Sequence, residues 1–149
     1  MLLESALKGA LQVAKDKWTN GKERRMRNED RQRADLIELQ VVVQHWKDLE
    51  ADAFCADKGE LKRSGVWEQK EIGEALSADL RSAINSVRNI SSRVRHTDVD
   101  LLSKMLILNA VPHKTGTQEV AERSLLEFFK VADQLLEQIG EAIRQIDKP

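Results

Sequence analysis

Several groups of side chains in this 149-residue chain sit at spacings that chemistry uses. Ser5-x-x-Lys8 places a hydroxyl one helical turn from an amine, and Lys114-Thr115-Gly116 follows far downstream. Together such strings can make an acylating serine, provided that Lys-Thr-Gly lies on a strand and a Ser-Asp-Asn element completes the site. Here Lys-Thr-Gly falls between two helical segments and Ser-Asp-Asn is missing, so Ser5 and Lys8 are helix residues and Thr115 is a cap. No G-x-x-x-x-G-K-[ST] string precedes it to cradle phosphate either. His45-x-x-Asp48-x-x-x-Asp52 would line one helix face and could hold a divalent cation. A metal centre in a helical bundle draws Glu-x-x-His pairs from two helices, and the chain has none, so no metal and no cofactor is expected. His45 is read as a seam-flanking residue paired with a neighbouring acid. His96 and His113 fall at turns, beside capping residues and a helix end. Cys55 sits among acidic neighbours, so it reads as a small buried hydrophobe and not as a nucleophile.

The grouping that remains is electrostatic. In KERRMRNEDRQR, residues 22–33, six of twelve residues are Lys or Arg and three are acidic. Arg24, Arg27 and Arg31 form a stripe if the stretch is helical. Glu23 precedes Arg27 by four and Glu29 precedes Arg33 by four, the favourable order for pairs of about 0.2–0.5 kcal/mol each. The stretch can therefore stand in water as a self-paired helix. Against that, it has almost no apolar face, and a helix polar all round needs some other support. Asp48, Glu50, Asp52, Asp57 and Glu60 follow later, so a helix from 22 to 57 would begin basic and end acidic, against its dipole.

The elements that position these residues are helices. Apolar residues recur at steps of three and four nearly throughout, and strand-like alternation is missing. The spacing predicts helix 1 over 2–18, with Leu3, Leu7, Ala10, Leu11, Ala14 and Trp18 on a stripe. Asn20-Gly21 would end it, with Asn20 and Glu23 as a capping box for helix 2, which runs to about 57. Its seam is Leu39, Val42, Trp46, Leu49 and Ala53, flanked by Leu36 and Val43. A loop over 57–65 carries Gly59 and Gly65. Helix 3, about 67–95, repeats Leu76, Leu80, Ala83, Val87, Ile90 and Val94 at heptad spacing. Thr97 with Asp100 opens helix 4 at 98–111, which Pro112 stops. Thr115 with Gln118 caps helix 5, 118–147, whose seam is Ala121, Leu125, Phe128, Ala132, Leu135, Ile139, Ala142 and Ile146. Trp18, Trp46 and Trp67 are assigned to packing.

The predicted fold is all-α: a single domain over 1–149, an elongated antiparallel helical bundle of four to five helices, three long and two short. If helices 2 and 3 form a hairpin, the basic start of one meets the basic end of the other. Arg24, Arg27, Arg31, Arg88, Arg93 and Arg95 then make an Arg-rich pole suited to carboxylates or phosphates, with segments 48–60 and 68–79 as an acidic pole. Net charge is −1, so no bulk field draws the molecule to nucleic acid, and aromatics for base stacking are missing from the pole. One Cys cannot form an internal disulfide, and Glu4 and Lys8 interrupt the run where a secretion signal would be apolar. The most apolar run, 101–111, is too short and too broken to span a bilayer. The expectation is a cytoplasmic, non-enzymatic interaction protein with a protein partner and no membrane. A nucleic-acid-associated protein using the same pole is the alternative, and a small enzyme without a recognisable motif stands third. Uneven helix lengths leave apolar seam uncovered, which predicts a homodimer.

Overall fold

A computed structural model describes residues 2–67, 73–110 and 117–148. Four helices follow one another: α1, Leu2–Ser64; α2, Glu74–Ser91; α3, Thr97–Leu108; and α4, Gln118–Asp147. Among the described residues there is no strand, and no helix is long and apolar enough to cross a membrane. The helices run up, down, up and down around a ring, α1 and α3 each packing on both α2 and α4. Two ion pairs give the register of α4 on α1: Arg33 with Asp147 at 2.9 Å and Lys47 with Asp133 at 2.6 Å. Fourteen residues along α1 match fourteen along α4 in the opposite direction.

The core forms where all four helices overlap. From α1 it takes Leu36, Leu39, Val43, Trp46 and Ala53, from α2 Leu80, Ala83, Val87 and Ile90, from α3 Val99 and Leu106, and from α4 Phe128, Ala132, Leu135 and Ile139. These are the heptad seams the sequence predicts for α2 and α4. On α1 the buried line is turned slightly from the predicted one, leaving Val42 and Leu49 partly buried at its edge. Trp46 and Phe128 meet at 4.9 Å between ring centroids, tilted by 57°. Burial of each stabilises the fold by about 2–3 kcal/mol. The next seam position on α1 holds Glu50, which is 3% exposed and accepts a hydrogen bond of 3.1 Å from the Trp46 indole N–H. Ser103, also buried, donates its hydroxyl to the Val99 carbonyl at 2.7 Å.

The predicted boundaries fail at both ends of helix 2. Asn20-Gly21 does not end a helix, and most of the predicted 57–65 loop is helical, so predicted helices 1 and 2 are one helix of 63 residues. A glycine inside a helix costs about 1 kcal/mol relative to alanine, whereas a break demands a second costly nucleation. The strong helix formers on both sides of Gly21 let the chain run on. The true terminator is Gly65, at φ +74°, whose N–H closes on the Leu61 carbonyl at 2.8 Å. The dipole conflict also disappears. α1 begins with Glu4 in its first turn and ends with Lys62 and Arg63, as its dipole prefers. Predicted helix 3 shortens to α2, and α3 and α4 are capped one residue before and two residues after the predicted caps. His96 accepts from Val99 N–H at 3.3 Å through Nδ1, and Thr117 accepts from Val120 N–H at 3.3 Å. The predicted cap Thr115, with Pro112, His113, Lys114 and Gly116, lies outside the described residues, as does 68–72 of the predicted acidic pole.

Two glycine substitutions test where α1 ends. Gly21→Ala meets open space and should raise helix content by circular dichroism, adding about 0.4–1 kcal/mol to local helix stability. Gly65→Ala forces a left-handed backbone on an L-residue and should lower global stability by about 1 kcal/mol in thermal unfolding. Destabilisation at Gly21 of similar size would place the helix break where the sequence predicted it.

Candidate functional site

The four-helix overlap stops clasping α1 near Asp35, and every residue from 2 to 31 is exposed. At 1.5 Å per residue this is an arm about 45 Å long that leaves the bundle at the end where α2 turns into α3 and α4 finishes. Its root is fixed by side chains. Gln32 donates to the Arg93 carbonyl at 2.8 Å and accepts from the Arg95 N–H at 2.7 Å, holding the backbone after α2 from both sides. Arg93 reaches back to Asp35 at 3.3 Å and Glu38 at 3.4 Å. Asp35 is nearly buried, so this guanidinium neutralises a carboxylate that the fold has taken from water.

Below that clamp the arm and the bundle end enclose an open cleft of about 660 Å³. Arg24, Arg25, Arg95, His96 and Lys148 line it with Glu29 as the one carboxylate, and Leu36, Ala142 and Ile146 give it an apolar floor. A smaller hollow on the other side of Gln32 is lined by Arg31, Asp35, Arg93 and Arg95. Of the six arginines singled out in the sequence, Arg24, Arg31, Arg93 and Arg95 thus gather at this root. Arg27 stands exposed on the arm and lines neither hollow. Arg88 lies on α2, donating to Asn85 at 3.3 Å. Arg25, His96 and Lys148 were missed. Arg25 lay in the singled-out run, but the stripe chosen there did not include it. Lys148 reaches the root because α4 runs antiparallel to α1.

The predicted Glu23–Arg27 and Glu29–Arg33 pairs do not form. Arg33 turns to Asp147 on α4, and among the described residues Arg24, Arg25, Arg27 and Arg31 have no ion-pair partner. Four guanidinium groups in one stretch of helix therefore keep their donors for something else, and each fork fits a carboxylate or a phosphate.

Other candidates come out differently from their sequence reading. Cys55 is exposed, on the side of α1 opposite the core, and not a buried hydrophobe. Trp18 is 69% exposed on the arm with the Lys22 ammonium 5.4 Å above its ring, so it packs against nothing in the bundle. Trp67 does meet the bundle end, against Phe54 at 5.8 Å. His45 is exposed and has no acid partner among the described residues, and Asp48 accepts instead from Gln44 at 3.2 Å. Among the described residues no three His, Cys, Asp or Glu side chains gather as a metal ion would need.

Alanine substitutions separate the clamp from the free arginines. Arg93→Ala leaves Asp35 nearly buried without its cation and should destabilise by about 1 kcal/mol in denaturant unfolding, a value already reduced for the half-exposed guanidinium. Arg24→Ala and Arg27→Ala should change stability by less than about 0.5 kcal/mol.

No family model matches this chain, and neither a curated protein nor a solved structure is detectably similar to it, so the function of this surface rests on its own chemistry.

Proposed function

We propose that the chain is a non-enzymatic interaction protein that grips an acidic macromolecular surface with its helical arm and the basic root of that arm. One observation carries this: a helix leaves the bundle for 30 residues with four arginines that have no ion-pair partner among the described residues. A stability role would use those charges internally, as Arg33 and Arg93 are used. Arg24, Arg25, Arg27, Arg31 and Arg95 are the gripping residues, with His96 and Lys148 beside them in the cleft. The favoured partner is a protein with exposed carboxylates, because the net charge of −1 supplies no long-range pull toward a polyanion. The exposed apolar stripe of residues 3–18 supports a homodimer as the working form. The lone, exposed Cys55 is in keeping with a reducing, cytoplasmic setting.

The test is the triple charge reversal Arg24→Glu, Arg27→Glu, Arg31→Glu in tagged protein purified from its native lysate, with and without nuclease. Partner recovery should drop roughly tenfold while the melting curve stays in place, since all three side chains are exposed. Undiminished recovery removes the arm from the contact. Recovery that nuclease abolishes and that falls steeply with salt assigns the arginines to nucleic acid instead.

A further inference from the structure

The cleft beneath the Gln32 clamp is lined by three kinds of group. The first is cationic: Arg24 and Arg25 on the wall made by the arm, Arg95 and Lys148 on the wall made by the bundle end. None of these four has an ion-pair partner among the described residues. With Glu29 as the one carboxylate, the lining carries an excess of three positive charges. The second kind is a side-chain amide on each wall, Asn28 and Gln145. Gln32 spends its amide on the Arg93 carbonyl and the Arg95 N–H, whereas Asn28 and Gln145 make no side-chain hydrogen bond among the described residues. The third is aliphatic: half-buried Ile146 forms the floor with Leu36 and Ala142.

We infer that this cleft seats a short, extended acidic segment of the partner protein, with an aliphatic side chain among its carboxylates. The inference rests on the grip proposed above and names what enters it. Each kind of group selects one part of such a ligand. Guanidinium forks and an ammonium take carboxylates. A side-chain amide carries both the donor and the acceptor that match an extended backbone. An aliphatic floor removes an aliphatic side chain from water. Other anions use less of the lining. A free phosphate or small carboxylate would meet the cations and leave the floor wet. Single-stranded nucleic acid stacks its bases on aromatic rings, and no aromatic side chain lines the cleft. The size also fits a peptide. The volume of about 660 Å³ is that of a ligand site. From Gly21 to Leu36 the arm wall is about 22 Å long, which an extended chain covers in about six or seven residues.

Calorimetric titration of the full chain with the blocked peptide acetyl-Gly-Glu-Asp-Leu-Glu-Gly-Ser-amide tests this. The peptide should bind roughly tenfold more tightly than the same sequence with serine in place of leucine. Tetrathymidylate, which matches its three negative charges, should bind roughly tenfold more weakly than the leucine peptide. Arg25→Glu with Lys148→Glu reverses one cation on each wall and should weaken the peptide roughly tenfold. The same charge change at Lys104 and Arg123, outside the cleft, should alter binding less than about twofold. Absent binding, equal binding of the leucine and serine peptides, tighter binding of tetrathymidylate, or an equal loss from the Lys104 and Arg123 variant each overturns the inference. The grip itself is judged by the lysate experiment. If the peptide fails while the triple reversal still costs partner recovery, the grip stands and this occupant is wrong; if both fail, the grip falls as well.

Discussion

α1 has 63 residues, and the helices that must cover it have 18, 12 and 30. Everything else follows from that mismatch in length. Apolar surface is removed from water only where helices overlap, so the core can extend along α1 no farther than α2 and α4 reach. The Arg33–Asp147 and Lys47–Asp133 pairs hold α4 in a register that ends near residue 33, and the Gln32 clamp ends α2 at the same level. Beyond that line α1 continues as helix, and among the described residues no other helix packs along it.

The same line divides the charges by their use. Inside it, Arg93 neutralises the nearly buried Asp35, and the buried Glu50 accepts from the Trp46 indole. Outside it, the arginines of residues 24–31 make no ion pair among the described residues, and they are exposed. The cleft arises from the same geometry. One side of α1 that faces the core at Leu39, Val43 and Trp46 carries Gly21, Arg25 and Asn28 about five turns earlier. Below the bundle those residues line a hollow where hydrophobic neighbours would otherwise sit. About five turns earlier again, the side is apolar, with Leu3, Leu7 and Ala10. The helix is thus patterned for contact along its whole length but is covered by its own chain over only part of it.

Helical class, bundle architecture and the seams of α2 and α4 were legible in the sequence, because a three-four rhythm of Leu, Ile, Val, Ala and Phe has one low-energy arrangement. Leu80, Ala83, Val87 and Ile90 are buried as their spacing requires. Asn20-Gly21 misled, since a glycine lowers the preference for helix without forbidding it. Gly65, in much the same local company, does end α1 by taking a positive φ. Local sequence cannot separate those two glycines when both are flanked by helix formers.

By itself, the sequence determined which faces are apolar, where the basic residues cluster and that the regular elements are helices, all of which depend on residue type and a fixed 3.6-residue period. Only the tertiary structure decided that Trp18 and Cys55 face water, that Lys148 and His96 join Arg24 and Arg25, and that Arg33 abandons Glu29 for Asp147. Those outcomes depend on how far one helix outruns its neighbours and on which side chains come within a few ångströms across a gap of more than a hundred residues. Periodicity along a single chain carries no information about either.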